Sequence, residues 1–558
     1  MAEAFKWPND LSANIFRQKY AISQADTWPE RCRVIGDDVC GTMSGRRNRA
    51  LSVSEEEQLV RYMQQLKFLP GGRYIYYAGR RSHFFNNCFL LRAEHDTREE
   101  WAALAQRSTS CLMVGGGIGV DYSIIRPSGR TIYRTGGIAS GPIALMEMIN
   151  EIGRHVMQGG SRRSAIYASM NWQHGDAWDL IGVKDWDSMP INGTGLTVGD
   201  MKRKDFNYRA PLDMTNISLN YDDEFLVQAD DDLPDIFLHN IRGAMAHGEP
   251  GFSFNFGAQE RETLRNACTE VTSEDDSDVC NLGSINMGAI DTLEEFREVV
   301  GLASKFLVCG TLKADLPYEK VRRVREQNRR LGLGLMGVHE WLLKRGHRYE
   351  MVDELREWMQ VYVEESERAA DEHCDRLYLN RPKGYRAIAP TGTIGILACT
   401  TTGIEPVYSV AYKRRYLVNG TDWKYEMVVD NVAEKLIKEH GVKPEDIETA
   451  VDLANDLERR VAFQADMQDY VDHAISSTIN LPPWGSEGNN EDTVVDVAET
   501  IAQYAPRLRG LTMYPDGARG GQPINSVPYE EALEHKGQVF SEAHDVCEIS
   551  GKGGTCGS

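Results

Sequence analysis

The chain has no apolar run approaching the roughly eighteen residues that a membrane-spanning helix needs. Its first seven residues, Met-Ala-Glu-Ala-Phe-Lys-Trp, carry no apolar signal core, which predicts a cytoplasmic protein. Basic charge is not in excess: 62 Lys and Arg face 83 Asp and Glu, a net charge of −21. That balance argues against direct nucleic-acid binding, whose affinity rests on phosphate neutralisation. A nucleotide ligand stays open, because backbone amides and a few local cations can hold phosphates inside an acidic protein. No Cys-x-x-Cys pair occurs, so no protein-ligated metal site is predicted. Eleven cysteines, an odd number scattered over a long chain, do not make a secreted disulfide framework. Internal repeats and low-complexity blocks are absent too.

What is present describes a large globular protein. The 558 residues are 41% hydrophobic and 26% charged, enough for one large barrel with insertions. From about residue 66 to 530, short apolar runs alternate with helical patterns and glycine turns, which predicts an α/β fold. Residues 1–65 read as a helical lead-in. Within it, Ser52-Val53-Ser54-Glu55-Glu56-Glu57 is a helix start with acids in the first turn, and Phe68-Leu69-Pro70-Gly71-Gly72 is the stop. Residues 101–113 and 142–157 read as amphipathic helices that pack in the core or at a dimer interface. Residues 185–207 read as a polar, glycine-containing loop, and 442–458 as an acidic, solvent-exposed helical insertion. Residues 531–558 are polar and glycine-rich near their end, a flexible tail carrying Cys547 and Cys556.

The chemistry concentrates in Asn266-Ala267-Cys268-Thr269-Glu270. In extended backbone, residues two apart face the same side, so an amide, a thiol and a carboxylate project together. No histidine lies in the segment to make Cys268 an ordinary activated nucleophile. In a dry pocket the pKa of Glu270 rises and suits proton exchange near neutral pH. Two more cysteines stand in small-residue contexts, Cys88 in Asn86-Asn87-Cys88-Phe89-Leu90 and Cys280 in Asp278-Val279-Cys280-Asn281-Leu282. Cys32, Cys40, Cys111, Cys309, Cys374 and Cys399 read as small core residues. The tail pair reads as an exposed dithiol able to exchange with a buried disulfide.

Other segments admit two readings. Pro390-Thr391-Gly392-Thr393-Ile394-Gly395 is either a plain strand-to-helix turn or a phosphate loop, with glycine admitting backbone amides and threonine adding hydroxyls. Gly115-Gly116-Gly117-Ile118-Gly119 lacks the context and the downstream acid of a dinucleotide fingerprint, and predicts a loop packed closely against a substrate or a helix. Asp96, Asp121 and Arg126 are each a cap or a surface ion pair. With the loops around Gly136 and Asp185 they frame a second nucleotide site.

These segments together resemble ribonucleotide reductases, in particular the adenosylcobalamin-dependent class II enzymes. The likeness runs in order through Asn87-Cys88-Phe89-Leu90-Leu91, Gly137-Ile138-Ala139-Ser140-Gly141-Pro142, Gly159-Gly160-Ser161-Arg162-Arg163, Asn216-Ile217-Ser218-Leu219 and Gly248-Glu249-Pro250-Gly251-Phe252. It continues through Asn266 to Glu270, Cys280 to Asn286, Arg330 to Gly337, Pro390 to Gly395, Gly403-Ile404-Glu405-Pro406, Ala474 to Pro482 and Tyr514-Pro515-Asp516-Gly517. The resemblance implies a ten-stranded α/β barrel with a central finger loop carrying the radical cysteine. It implies that Cys268 becomes a thiyl radical, that Glu270 takes the 3′-hydroxyl proton and that Asn266 positions the sugar. Cys88 and Cys280 would reduce the ribose and form a disulfide, and Cys547 and Cys556 would reset it. Thr391, Gly392 and Thr393 match the substrate-phosphate loop, and Asp96 and Arg126 match positions that bind a deoxynucleotide specificity effector. Implied partners are a ribonucleoside di- or triphosphate, a thioredoxin- or glutaredoxin-like reductant and a second copy of the chain.

Two departures bear on class. A class I catalytic subunit would carry an adjacent tyrosine pair near the barrel's end, where Thr512-Met513-Tyr514-Pro515 holds one tyrosine, and a class III enzyme would end on an Arg-x-x-Gly-Tyr motif that this sequence lacks. By elimination the radical comes from adenosylcobalamin. A class I-type subunit served by a separate radical generator, or a nucleotide-binding regulatory protein, are the alternatives. Residues 1–65 leave no room for an N-terminal ATP cone, and 185–207 does not follow the family's pattern.

Overall fold

The computed structural model describes residues 5–41, 50–133, 136–156, 164–205, 207–418, 422–517, 524–536 and 538–541. Cys547, Cys556 and the Gly159–Arg163 motif lie outside the described residues.

Three helices lead in: Asp10–Lys19, Trp28–Cys40 and Val53–Gln64. The third begins at the predicted place. Ser52 accepts from the Glu55 amide and Glu55 reaches back to the Ser52 amide, a reciprocal cap that satisfies two orphan donors. Past it, Phe68–Pro70 forms a short buried strand antiparallel to the barrel strand Asp278–Asn286, with Phe68 opposite Ile285.

The sheet has ten strands. Its first set, Cys88–Arg92, Gly117–Asp121, Ile166–Asn171, Thr215–Tyr221 and Gly251–Phe254, is parallel throughout. A second set contains Asp278–Asn286 parallel to Leu331–Met336, and Thr478–Leu481 parallel to Gly510–Pro515. The two sets meet antiparallel at both junctions, where 278–280 pairs with 88–90 and 510–511 pairs with 252–253. The ladder does not close into a continuous barrel. Between Leu331–Met336 and Thr478–Leu481 runs the extended segment 384–388, tied by isolated parallel bridges Leu333 to Arg386 and Ile388 to Ile475. The strands of both sets are nearly continuous apolar runs, as expected of parallel strands covered on both faces. Helices Leu293–Lys313 and Asp353–Leu377 bury Phe306, Leu307, Trp358 and Tyr362 against the outside of the second set.

Both amphipathic helices form, at Arg98–Met113 and Pro142–His155. Three sequence expectations need correction. Gly115–Gly119 is not wholly a loop, since Gly117–Asp121 is a fully buried strand. The reason is burial on both faces, which favours strand over loop once neighbours supply the hydrogen bonds. Residues 185–207 hold a helix, Val198–Lys204, started by a Thr197–Asp200 capping box, and Lys202 joins Arg154 on the Asp213 carboxylate. Residues 442–458 form no single exposed helix. A short turn at Pro444–Asp446 precedes Ala450–Leu453, which a second capping box begins, and Ile447, Ala450 and Leu453 are buried. In both segments part of the polar composition serves helix caps.

Candidate functional site

The connection between the two strand sets, residues 255–277, passes through the inside of the sheet. Its two short strands, Leu264–Arg265 and Thr272–Ser273, pair antiparallel as the stem of a finger loop. Residues 266–271 form the tip, where the Thr269 amide donates to the Asn266 carbonyl at 3.0 Å and Thr269 takes a positive φ of 71°. The loop crosses directly over the strand Gly117–Asp121. A Cβ at Gly119 would stand 1.8 Å from the Arg265 carbonyl oxygen, and one at Gly117 would stand 2.8 Å from the Ala267 Cβ. These glycines do pack closely, but against the finger loop and not against a helix.

The tip presents the predicted residues together. Asn266 is fully buried. Its side-chain amide donates to the Cys88 sulfur at 2.8 Å, and its carbonyl oxygen accepts from the Val271 amide at 2.9 Å. One side chain thus holds the loop's shape and touches a barrel thiol. The Cys88 thiol donates to Glu270 Oε1 at 3.7 Å, while Glu270 Oε2 is buried with no protein donor. Burial pushes the Glu270 pKa above its usual range, opposed by hydrogen bonds from Asn266 and Cys88. The backbone carbonyl of Glu270 accepts from Ala474 at 2.8 Å, which fixes the far side of the tip to the second strand set.

Cys88 and Cys280 are directly opposite in the antiparallel junction of the two strand sets. Opposed antiparallel residues have Cα atoms about 4.5–5.5 Å apart, inside the range a disulfide spans. Both thiols are free and buried, and burial, then the Glu270 charge, hold both well above the ordinary thiol pKa. Cys268 differs. It is exposed, facing open volume at the loop tip, while the surrounding protein still raises its pKa, with Glu270 adding to the effect. None of the three is a thiolate at neutral pH. The arrangement suits hydrogen-atom and two-electron chemistry better than nucleophilic attack.

The Pro390–Gly395 motif is a turn from the extended segment into the helix Gly392–Ala398. Thr391 takes a left-handed φ of 51°, and its hydroxyl accepts from the Gly403 amide at 2.9 Å, so the two small-residue runs lock each other. Gly392 is exposed with open space where a Cβ would point, and Thr393 is half-buried beside it. Asp96 and Arg126 come together as an ion pair away from this centre, and Arg126 also donates from its amide to the same carboxylate at 3.3 Å. The six cysteines read as core are all buried. Among the described residues no cluster of His, Cys, Asp and Glu could hold a metal ion, and no helix is long and apolar enough to cross a membrane.

A group that the motifs did not single out lies beneath the finger loop. Glu262 receives Arg330 at 3.3 Å and Arg509 at 2.9 Å, and Arg330 also bonds Asp278 at 2.8 Å. Arg330 opens the Arg330–Gly337 motif, but nothing in the sequence sets Glu262 apart from Glu260, or Arg509 from Arg507.

Comparison with known proteins places this geometry. The family described as "Ribonucleotide reductase, barrel domain" matches residues 86–233, 241–371 and 383–514, well over half the chain. A vitamin B12-dependent ribonucleoside-diphosphate reductase of Mycobacterium tuberculosis (strain CDC 1551 / Oshkosh) is 25% identical, over 95% of this chain and 82% of its own. Another protein of that name, from Thermoplasma acidophilum, is 24% identical over 86% of this chain and 67% of its own. Among solved structures, the Actinobacillus ureae class Id ribonucleotide reductase alpha subunit superposes with a TM-score of 0.69 at 16% identity, covering 92% of this chain and 98% of its own, a likeness of fold. The paired strand sets, the loop threaded between them and the span of this match lead to one conclusion: the chain belongs to the ribonucleotide reductase family.

Proposed function

We propose that the chain reduces ribonucleoside di- or triphosphates to 2′-deoxyribonucleotides by a thiyl-radical mechanism, with adenosylcobalamin as the radical source. The observation that carries this reading is the convergence of an exposed Cys268, a buried Glu270 and the opposed pair Cys88 and Cys280 around one finger loop. Names of relatives at about a quarter identity support the cofactor. The residues present fit it. A corrin-borne cobalt asks for no set of protein side-chain ligands, only open approach to the thiol it serves, and Cys268 is the one of the three active-site thiols that is exposed. When bound, adenosylcobalamin supplies a carbon-centred radical by Co–C homolysis.

The protein's part follows from its own groups. Cys268 as a thiyl removes the 3′ hydrogen of the ribose. Glu270, with Oε2 free of protein donors, accepts the 3′-hydroxyl proton. The 2′-hydroxyl leaves as water, with its proton coming from the buried thiols beside Glu270. Cys88 and Cys280 give two electrons and two protons, one to the departing water and one to C2′, and become a disulfide; Glu270 returns its proton to the 3′ oxygen, and Cys268 returns its hydrogen to C3′ and is a thiyl again. Substrate phosphates lie against Gly392 and the hydroxyls of Thr391 and Thr393. Asp96 and Arg126 form part of a deoxynucleotide specificity site, and a homodimer forms through the helices Arg98–Met113 and Pro142–His155, where Met113 and Met148 are exposed. In this reading residues 1–65 are a helical lead-in, 66–530 the catalytic barrel and 531–558 a redox tail acting with a thioredoxin- or glutaredoxin-like protein in the cytoplasm.

The tail provides the test. In a variant with Cys547→Ser and Cys556→Ser, pre-reduced and given no reductant, one deoxyribonucleotide forms per chain, and peptide mapping finds one disulfide, between Cys88 and Cys280. A small dithiol sustains turnover in this variant, whereas a protein reductant does not. Product without that disulfide contradicts the proposal.

Glu270 gives a second prediction. Because its folded pKa lies above the unfolded value of about 4.3, the protonated form is the one the fold favours. That contribution is complete below the unfolded pKa and is lost as pH rises through the folded pKa. Glu270→Gln therefore raises the melting temperature at neutral pH, and the gain vanishes below about pH 4, near the unfolded carboxylate value. The same variant lowers kcat by about 10²–10⁴-fold, the usual weight of a general base. It also removes the acid limb of the pH–rate profile. Thermal melts and kcat across pH check both signs.

A further inference from the structure

The finger loop must hold Cys268 in register with Glu270 and the opposed thiols, yet its stem is only two residues on each side. So short a hairpin has little stability of its own. Something else must hold it. The return strand is Thr272–Ser273, and Thr272 is fully buried. Its hydroxyl donates to Glu262 Oε2 at 2.8 Å and lies 3.3 Å from His473 Nδ1. Glu262, just before the outgoing strand, receives Arg509 at 2.9 Å and Arg330 at 3.3 Å. Arg509 immediately precedes the strand Gly510–Pro515, and Arg330 immediately precedes Leu331–Met336. One carboxylate therefore ties the finger loop to two strands of the second set. Ser273 extends the same device, its hydroxyl reaching Asp278 at 2.7 Å, which Arg330 also holds at 2.8 Å.

We propose that Glu262, with Arg330, Arg509 and Thr272, is a clamp that positions Cys268, acting through the stem of the finger loop and not by touching substrate. The assignment rests on the function proposed above for Cys268. Burial raises the Glu262 pKa, but Arg330 and Arg509 outweigh it and bring the group down to about 2. The clamp is thus charged throughout the working pH range. His473 on the other side of Thr272 is neutral there, its pKa lowered to about 4, chiefly by burial. The clamp carries no pH switch of its own.

Thr272→Val tests this in the full chain, because it removes only the hydroxyl and leaves the ionic trio intact. Two quantities are measured: turnover with adenosylcobalamin, ribonucleotide and a small dithiol, and iodoacetamide alkylation of each active-site cysteine, followed by mass spectrometry without cofactor. The clamp predicts that kcat falls about 10-fold or more, within the range that small misplacement of reacting groups produces. KM for the ribonucleotide stays within about two-fold, as for a loss confined to the chemical step. Alkylation of Cys268 accelerates while Cys88 and Cys280, held in barrel strands, keep their rates. Glu262→Asp, which keeps the charge but shortens the reach, gives an intermediate Cys268 rate. Unchanged Cys268 alkylation in Thr272→Val overturns the clamp, as does a parallel acceleration of all three thiols, which would mark general loosening. If the parent protein shows no turnover, the function assigned to Cys268 fails, and the alkylation contrast still decides the clamp.

Discussion

Cys268→Ser abolishes deoxyribonucleotide formation, lowering turnover by at least about 10⁴-fold, the scale of losing a catalytic group that no neighbour replaces. A hydroxyl hydrogen is held too strongly to be taken as an atom under the conditions that activate a thiol, so serine cannot carry the radical. Cys88 and Cys280 cannot substitute, being buried on barrel strands and facing each other. The alternative, a nucleophilic Cys268, would need a thiolate, and the site opposes one: the protein crowded around the loop tip and then the Glu270 charge raise the thiol pKa. The thiol is exposed at a loop tip, so its loss leaves the fold intact. The melting temperature stays within a few degrees of the parent, as for other substitutions that bury and unbury nothing. Product formation by high-performance chromatography, with calorimetry as the control, measures both.

Gly119→Ala lowers stability and turnover together. The added methyl carbon would stand 1.8 Å from the Arg265 carbonyl oxygen and 3.2 Å from Tyr167 Cδ1. A backbone oxygen in a paired stem cannot yield as a flexible side chain can, so either the strand or the finger loop must shift. Overpacking of this kind costs about 1–3 kcal/mol of stability. Displacing the loop by the order of an ångström costs turnover about 10²-fold. Gly182→Ala is the matched control, since its Cβ would meet nothing within 4 Å and it ends the short helix Ala177–Gly182. It leaves melting and turnover unchanged. The two variants separate a steric demand at one glycine from any general effect of added alanine.

These predictions rest on features that were unequally legible in the sequence. Local chemistry read well. Ser52 and Glu55 announced a capped helix because a cap is a short-range hydrogen-bond pattern. The i, i+2 spacing of Asn266, Cys268 and Glu270 placed three functional groups in one loop. Their alternating projection was only approximate, because Thr269 breaks the extended path with a positive φ, and Cys268 is exposed while Asn266 and Glu270 are buried. The same residue types misled where polar composition stood for exposure. Thr197 and Asp200, and Thr449 and Asp452, start helices by side-chain capping, so segments read as loop or exposed insertion are tied into the fold. The glycines at 117 and 119 signalled close approach correctly but not what approaches, because the finger loop arrives from residues far along the chain. Glu262 and Arg509 were silent for the same reason. A carboxylate and a guanidinium become a clamp only when distant strands bring them to 2.9 Å. The opposed register of Cys88 and Cys280 is likewise a product of topology, made where two parallel strand sets meet head to tail.

The central claim, a cobalamin-served thiyl radical on Cys268, is tested most directly by one assay. Purified chain alone is given a ribonucleotide, a small dithiol and adenosylcobalamin, and the deoxyribonucleotide is quantified with and without the cofactor. Cofactor-dependent product in the absence of any second subunit, lost in Cys268→Ser, is the predicted result. No product with adenosylcobalamin, and turnover only when a separate radical-generating protein is added, would contradict it and favour a class I-type catalytic subunit.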